Sequence, residues 1–140
     1  MAIGWAAIMF VFSTEQFGSD RSEAVVAQVA ETLHIEVSDS DVDRTNTVLR
    51  KLAHLTEYAI LSILLYKCLQ SEPEQVWQSR QARLAVLVAI AYATTDEFHQ
   101  VFVPGRNASI VDCCIDATGA SLAMLIIYWR LKGTSSRAPS

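Results

Sequence analysis

The sequence predicts an all-α integral membrane bundle of about four transmembrane helices, with a short amphipathic helix in the first loop. Three observations carry that prediction. The 140-residue chain is 51% hydrophobic and 19% charged, with a mean hydropathy of +0.26, and its charges fall in blocks that leave long apolar windows between them. Proline closes two of these windows, and residues suited to helix N-termini open others. Ionisable residues inside the windows recur at helical spacing, as they do where a helix turns one polar stripe towards the inside of a bundle. No stretch has the composition of an interdomain linker, so residues 1–132 are expected to form one membrane domain and residues 133–140 a disordered tail.

Several function classes are excluded at this level. A net charge of -4, with no basic stripe or stacking motif, removes the electrostatic footprint of a nucleic-acid binder. Cys68, Cys113 and Cys114 are odd in number and lack zinc spacing, so they read as small hydrophobes on helix surfaces. The N-terminal apolar run has no Lys or Arg ahead of it and no small-residue cleavage site, so it is expected to belong to the mature fold. No internal repeat or low-complexity tract is present.

The first apolar run, Ala2 to Phe12, covers only about half of a hydrocarbon core at ~1.5 Å per residue. Asp20-Arg21-Ser22-Glu23 then has capping-box form, and Val25, Val26, Val29 and Leu33 share one face of the amphipathic helix expected to follow. Ser38-Asp39-Ser40-Asp41 reads as a turn leading into the next helix. The second apolar run, Leu52 to Leu69, is of spanning length, preceded by Arg50-Lys51 and ended by Pro73. The third begins near Gln81 and is purely apolar only from Leu84 to Ala93, so a spanning helix there must carry Asp96, Glu97, His99 and Gln100 before Pro104-Gly105 stops it. The fourth opens near Ser109, with Asp112 at capping-box spacing, and runs to the interfacial pair Tyr128-Trp129, closed by Arg130 and Lys132.

Alternating helix directions bring the start of the second helix, the end of the third and the start of the fourth to one membrane face. Counting inward from Arg50, Pro104 and Ser109 places His54, Glu57, Asp96, Glu97, Asp112 and Asp116 within roughly 5 to 13 Å of their helix ends. Helical spacing aligns His54 with Tyr58, Asp96 with Gln100, and Asp112 with Asp116 and Gly119. Gly119, Ala120 and Ser121 permit a close helix approach at that level. Asp96 and Glu97 sit towards a helix C-terminus, where the macrodipole disfavours negative charge, so a cationic or hydrogen-bonding partner is expected from Arg106, Arg50, Lys51 or His54. Asp112 is accounted for by capping its own helix.

Three chemistries fit this set. His54, Glu57, Asp96 and Glu97 suit general acid/base catalysis, with His99 and Asp116 as alternative members of such a pair. The same oxygens and imidazoles suit a divalent cation. Arg50, Lys51 and Arg106 suit a phosphate, with Tyr58, His99, Gln100, Asp112 and Asp116 orienting a ligand. No motif of diagnostic spacing selects among them or names a metal or cofactor. A non-enzymatic reading stands beside all three, in which the cluster is an interhelical ion-pair and hydrogen-bond network. An ion-coupled carrier is the weaker alternative, because four short helices without repeats lack the usual transporter architecture.

Residues 50–58 (Arg-Lys-Leu-Ala-His-Leu-Thr-Glu-Tyr), residues 95–106 (Thr-Asp-Glu-Phe-His-Gln-Val-Phe-Val-Pro-Gly-Arg), and Ser109 with Asp112, Asp116 and Gly119 form an ordered pattern that resembles the VanZ-like family. Phe12-Ser13-Thr14-Glu15-Gln16 is similar to the serine-containing end of that family's first helix. The resemblance implies a small multi-pass protein of the bacterial cytoplasmic (inner) membrane, and the family's namesake is associated with low-level resistance to the glycopeptide teicoplanin. By that resemblance the expected partners are membrane lipid and a lipid-linked cell-envelope precursor. It supplies no reaction, and oligomeric state is left open. The departure is at the N-terminus, which lacks the basic, full-length first helix usual in the family.

Sidedness follows from the charges outside the apolar windows. The face holding both termini carries Lys67, Arg80, Arg83, Arg130, Lys132 and Arg137, against Arg21, Arg44, Arg50, Lys51 and Arg106 on the other. Of the second group, Arg50, Lys51 and Arg106 have a competing role beside buried carboxylates, so the positive-inside rule puts both termini in the cytoplasm and the polar layer outward. Single cysteines at Ser40 and Ser135 in a Cys-free background test this. An impermeant thiol reagent on intact cells should label position 40 and spare 135, and the opposite pattern refutes the orientation.

Overall fold

A computed structural model of the chain describes residues 2–12, 24, 28, 29, 32, 38–70, 76–102 and 109–135. Its elements are α1 (Ala2–Phe12), α2 (Asp39–Leu69), α3 (Ser79–Gln100) and α4 (Ile110–Ser135). The amphipathic helix expected after Asp20 falls almost wholly outside the described residues, as do Pro104, Gly105, Arg106 and residues 136–140. α4 continues through residues 133–135, into the stretch expected to be tail.

α2 begins well before the apolar run that marks it in the sequence. Ser38 is its N-cap, with extended backbone and an Oγ that accepts the Asp41 N–H at 3.3 Å. The polar segment expected to be a turn is therefore a cap, and with no Gly or Pro between Asp39 and Lys51 the helix runs on without interruption. At ~1.5 Å per residue α2 is about 46 Å long, more than the ~30 Å of a hydrocarbon core. Its first third accordingly extends beyond the apolar span. The far end closes where the Gln70 N–H donates to the Tyr66 carbonyl at 3.0 Å.

α3 and α4 meet the interior mainly with small residues, packed against larger ones from α2. α3 buries Ala82, Ala85, Ala89 and Ala93, which fall on one face at spacings of three and four. α4 answers with Gly119, Ala120, Ala123 and Met124, and α2 with Tyr58, Leu61, Ser62 and Tyr66. The large aliphatic side chains point the other way: Leu84, Leu87 and Val88 on α3, and Leu122, Leu125 and Ile126 on α4, are exposed. Small residues inside and large apolar residues outside is the pattern of helices packed in lipid, where close backbone approach replaces hydrophobic burial as the driving force.

Among the described residues, two helical stretches are long and apolar enough to cross a membrane, Ser40–Leu69 and Ile110–Gly133. Only 22% and 28% of their apolar windows are buried within the protein, so neither is the enclosed core helix of a water-soluble domain. α1 is too short to span alone, and α3 carries Arg80, Arg83, Asp96 and Glu97. Both are tied into the bundle. The Trp5 indole N–H donates to the Glu57 carbonyl at 3.1 Å, and the Tyr92 hydroxyl donates to the Ala6 carbonyl at 2.7 Å. Met9 packs with Tyr58, Leu61, Ala89, Ala93 and Ala120 in the core beneath.

α2 and α4 run parallel and touch through backbone. A Cβ at Gly119 would collide with the Leu55 carbonyl oxygen and approach the Leu55 Cα at 3.1 Å. Further along the seam the fully buried Ser62 hydroxyl is 3.1 Å from the Ala120 carbonyl. Gly119→Ala must therefore push the helices apart, at a cost of about 1–3 kcal/mol. Gly133→Ala, where an added Cβ meets nothing within 4 Å, is the matched control. Unfolding in detergent should show a lower midpoint for the first variant and no loss for the second.

Candidate functional site at one end of the bundle

The close seam sets the register of the polar layer. One residue before Leu55, the His54 Nδ1 lies 3.3 Å from Asp116 Oδ1, and one turn further the Lys51 Nζ lies 3.7 Å from Asp112 Oδ1. Both pairs bridge α2 and α4. Asp116 is 1% exposed, whereas Lys51 is 42% exposed, so the first is a desolvated pair and the second a partly solvated one of small energetic weight. The His54 and Asp116 atoms are at ion-pair distance, with the imidazole facing the carboxylate across the seam.

α3 brings the remaining carboxylates. Asp96 Oδ2 accepts the Gln100 side-chain amide at 3.0 Å, one turn along the same helix. Glu97 Oε2 accepts the Ser109 backbone N–H at 2.6 Å. The expected cationic partners are thus not what these two carboxylates contact among the described residues; amide donors meet them instead. The second contact also changes the account of Asp112. At capping-box spacing Asp112 would reach back to the Ser109 N–H, but Glu97 holds that group from the neighbouring helix, and Asp112 turns to Lys51. Ser109 still opens α4, its carbonyl accepting the Asp112 and Cys113 N–H groups at 3.0 and 3.2 Å.

The residues expected to share one layer do so. His54 interacts electrostatically with Asp116, Glu57 and Asp112, Tyr58 with Asp96, Asp116 and Glu57, and Glu97 with Asp112, His54 and Asp116. His99 lies to the side, its ring 4.9 Å from Phe10 of α1. Arg50 is half-buried and forms no ion pair among the described residues, and Arg106 falls outside them. Tyr92, which the sequence reading passed over, belongs here: it stands one turn before Asp96 on the stripe that continues to Gln100, and its ring is 6.2 Å from Tyr58. The spacing 92, 96, 100 was the available signal.

Tyr58 Oη, Glu97 Oε1 and His99 Nδ1 are among the buried polar atoms that have no hydrogen-bond partner among the described residues. Tyr58 is 1% and Glu97 6% exposed. Unmet groups of this kind cost about 1–3 kcal/mol each when buried. No group of three or more His, Cys, Asp or Glu among the described residues is arranged to hold a metal ion. What the layer offers chemically is a set of carboxylate acceptors, the phenols of Tyr58 and Tyr92, and an imidazole–carboxylate pair beside one lysine.

Glu97 is the joint between α3 and α4, and its two roles separate by substitution. Glu97→Ala removes a charge-assisted bond to the first residue ahead of α4 and should cost about 1.5–3 kcal/mol. Glu97→Gln retains an acceptor oxygen and should lose less. Thermal unfolding in detergent, compared across the two, checks the order.

The family model described as VanZ/LLP1 matches residues 1–131, from α1 through nearly all of α4. No curated protein and no solved structure matches the chain. The matched span contains every residue of the polar layer, the whole of the Ser40–Leu69 helix and all but the last two residues of the Ile110–Gly133 helix. This chain is a membrane protein of the VanZ/LLP1 family.

Proposed function

We propose that the chain crosses the bacterial inner membrane with all four helices, both termini cytoplasmic, and that its outward polar layer binds the headgroup of a lipid or of a lipid-linked cell-envelope precursor. The observation that carries this reading is the set of unmet buried polar atoms, Tyr58 Oη and Glu97 Oε1 above all, in the same layer as the His54–Asp116 pair. A headgroup bearing hydroxyl or amine donors and a proton acceptor would complete them. In a catalytic version His54 exchanges a proton with the bound group, Asp116 holds the imidazole, and Glu57, Asp96 and Glu97 supply further acid/base or orienting oxygens. Arg50, Lys51 and Arg106 would neutralise a phosphate at the rim. Occupation of such a precursor is the route by which the family's link to teicoplanin susceptibility would extend to this chain.

A second reading is favoured by the bridging contacts themselves. Lys51–Asp112, His54–Asp116 and Glu97–Ser109 each fasten two helices, and a purely architectural network would need no ligand. Asp96→Asn and Tyr58→Phe separate the two. Asparagine keeps an oxygen for the Gln100 amide but removes the charge, and phenylalanine removes a hydroxyl that fastens nothing among the described residues. Headgroup binding predicts that both variants insert and fold normally while losing the difference in teicoplanin susceptibility that the unmodified chain confers on a deletion strain. Unchanged susceptibility with both variants, or loss of folded protein in the membrane, supports the architectural reading instead.

A further inference from the structure

Towards the opposite end of the bundle from the polar layer, residues of α3 and α4 line an open groove of about 480 Å³. Its walls are apolar: Trp77, Val86 and Leu87 on one side, and Met124, Leu125 and Tyr128 on the other. Leu87 and Leu125 are 61% and 49% exposed, so this is an outward surface rather than an enclosed void. In a bilayer an acyl chain is the apolar body available to fill it.

The mouth of the groove is not apolar. Arg83 lines it, and its Nε–H donates to the Ser79 carbonyl at 3.4 Å. The side chain therefore runs back towards the start of α3, the direction that takes a guanidinium from the hydrocarbon towards the interface. α3 starts there without a side-chain cap and with no acidic residue in its first turn. Its first-turn N–H groups and the positive end of its dipole are turned to the same rim, with Arg80 beside them. Around this end Trp77 packs against Tyr66 and Tyr128, and the Lys132 ammonium sits 5.8 and 5.7 Å from the Tyr128 and Trp129 rings. Aromatic rings with interspersed cations are the side-chain set of a headgroup region.

We propose that this groove is a binding site for one anionic phospholipid, its acyl chain lying between α3 and α4 and its phosphate held by Arg83 and the first turn of α3. An apolar groove alone would accept any lipid. The rim, cationic among the described residues, selects a headgroup with net negative charge over a zwitterionic one, because the zwitterionic lipid brings its own ammonium up against the same positive charge. The site is distinct from the polar layer and depends only on the chain being embedded in a bilayer. It also gives α3, the helix least able to hold itself in hydrocarbon, a lateral partner along its exposed Leu87 edge.

The test uses the full chain purified in detergent, titrated with phosphatidylglycerol or phosphatidylcholine of matched chains, and read by native mass spectrometry. The expected result is a single retained phosphatidylglycerol adduct, with phosphatidylcholine retained more weakly. Arg83→Gln should weaken the phosphatidylglycerol adduct roughly fivefold and bring the two lipids closer together. Leu87→Trp fills the groove from an exposed position without touching the core and should reduce both adducts. Arg130→Gln, on α4 and outside the groove lining, should leave the preference in place. Equal retention of the two lipids by the unmodified chain, or a preference that survives both Arg83→Gln and Leu87→Trp, overturns the proposal.

Discussion

The contact of Gly119 with the Leu55 backbone is the constraint from which the site follows. It lets α2 and α4 meet main chain to main chain, and because the two helices run parallel, a single fixed point sets every pair along the seam. His54 and Asp116 lie just to one side of it, Lys51 and Asp112 one turn beyond, and Ser62 and Ala120 on the other side. A larger residue at 119 would displace all of these together, since a rigid pair of helices cannot open at one level alone. The polar layer is thus a consequence of backbone packing that contains no polar side chain.

α3 completes the layer by a different device. Its alanine face lets it settle against α2 and α4, which carries Asp96 and Glu97 inwards at its C-terminal end, where its own dipole is unfavourable to them. The start of α4 lies alongside, and the Ser109 N–H that Glu97 accepts belongs to a helix N-terminus, where negative charge is favoured. The carboxylate is stabilised by the neighbour's dipole in place of its own. This arrangement accounts for Glu97 at the end of a helix, while Asp96 is met by the Gln100 amide one turn along, with no cation bonded to either among the described residues.

Much of this arrangement is legible in the amino-acid sequence. The fixed helical rise places residues at known depths from Arg50, Pro104 and Ser109, so the membership of the layer followed from counting, and the small residues at 119–121 marked the seam. What could not be read was partnership. Spacing assigns Asp112 to its own N-cap, but the approach of Glu97 is a contact between helices that no local pattern encodes. The start of α2 was missed for a related reason: an apolar window locates the part of a helix in hydrocarbon, whereas Asp39–Lys51 is held as helix by a cap and by the absence of breakers. Tyr92 was hidden inside an apolar run, where an aromatic residue reads as packing surface.

The small-residue interior has a thermodynamic consequence. When a water-soluble domain unfolds, the apolar area it exposes to water gives a large positive heat-capacity change and a curved stability profile. With all four helices in the membrane, as proposed above, Ala82, Ala85, Ala89, Ala93, Gly119 and Ala120 part from one another on unfolding while Leu84, Leu87, Leu122 and Ile126 already face the apolar medium. Separation of the helices exchanges protein contacts for lipid contacts and transfers little apolar area to water. The stability of this bundle should therefore vary almost linearly with temperature, and it is governed by how well acyl chains solvate the parted helix faces as much as by the contacts between them.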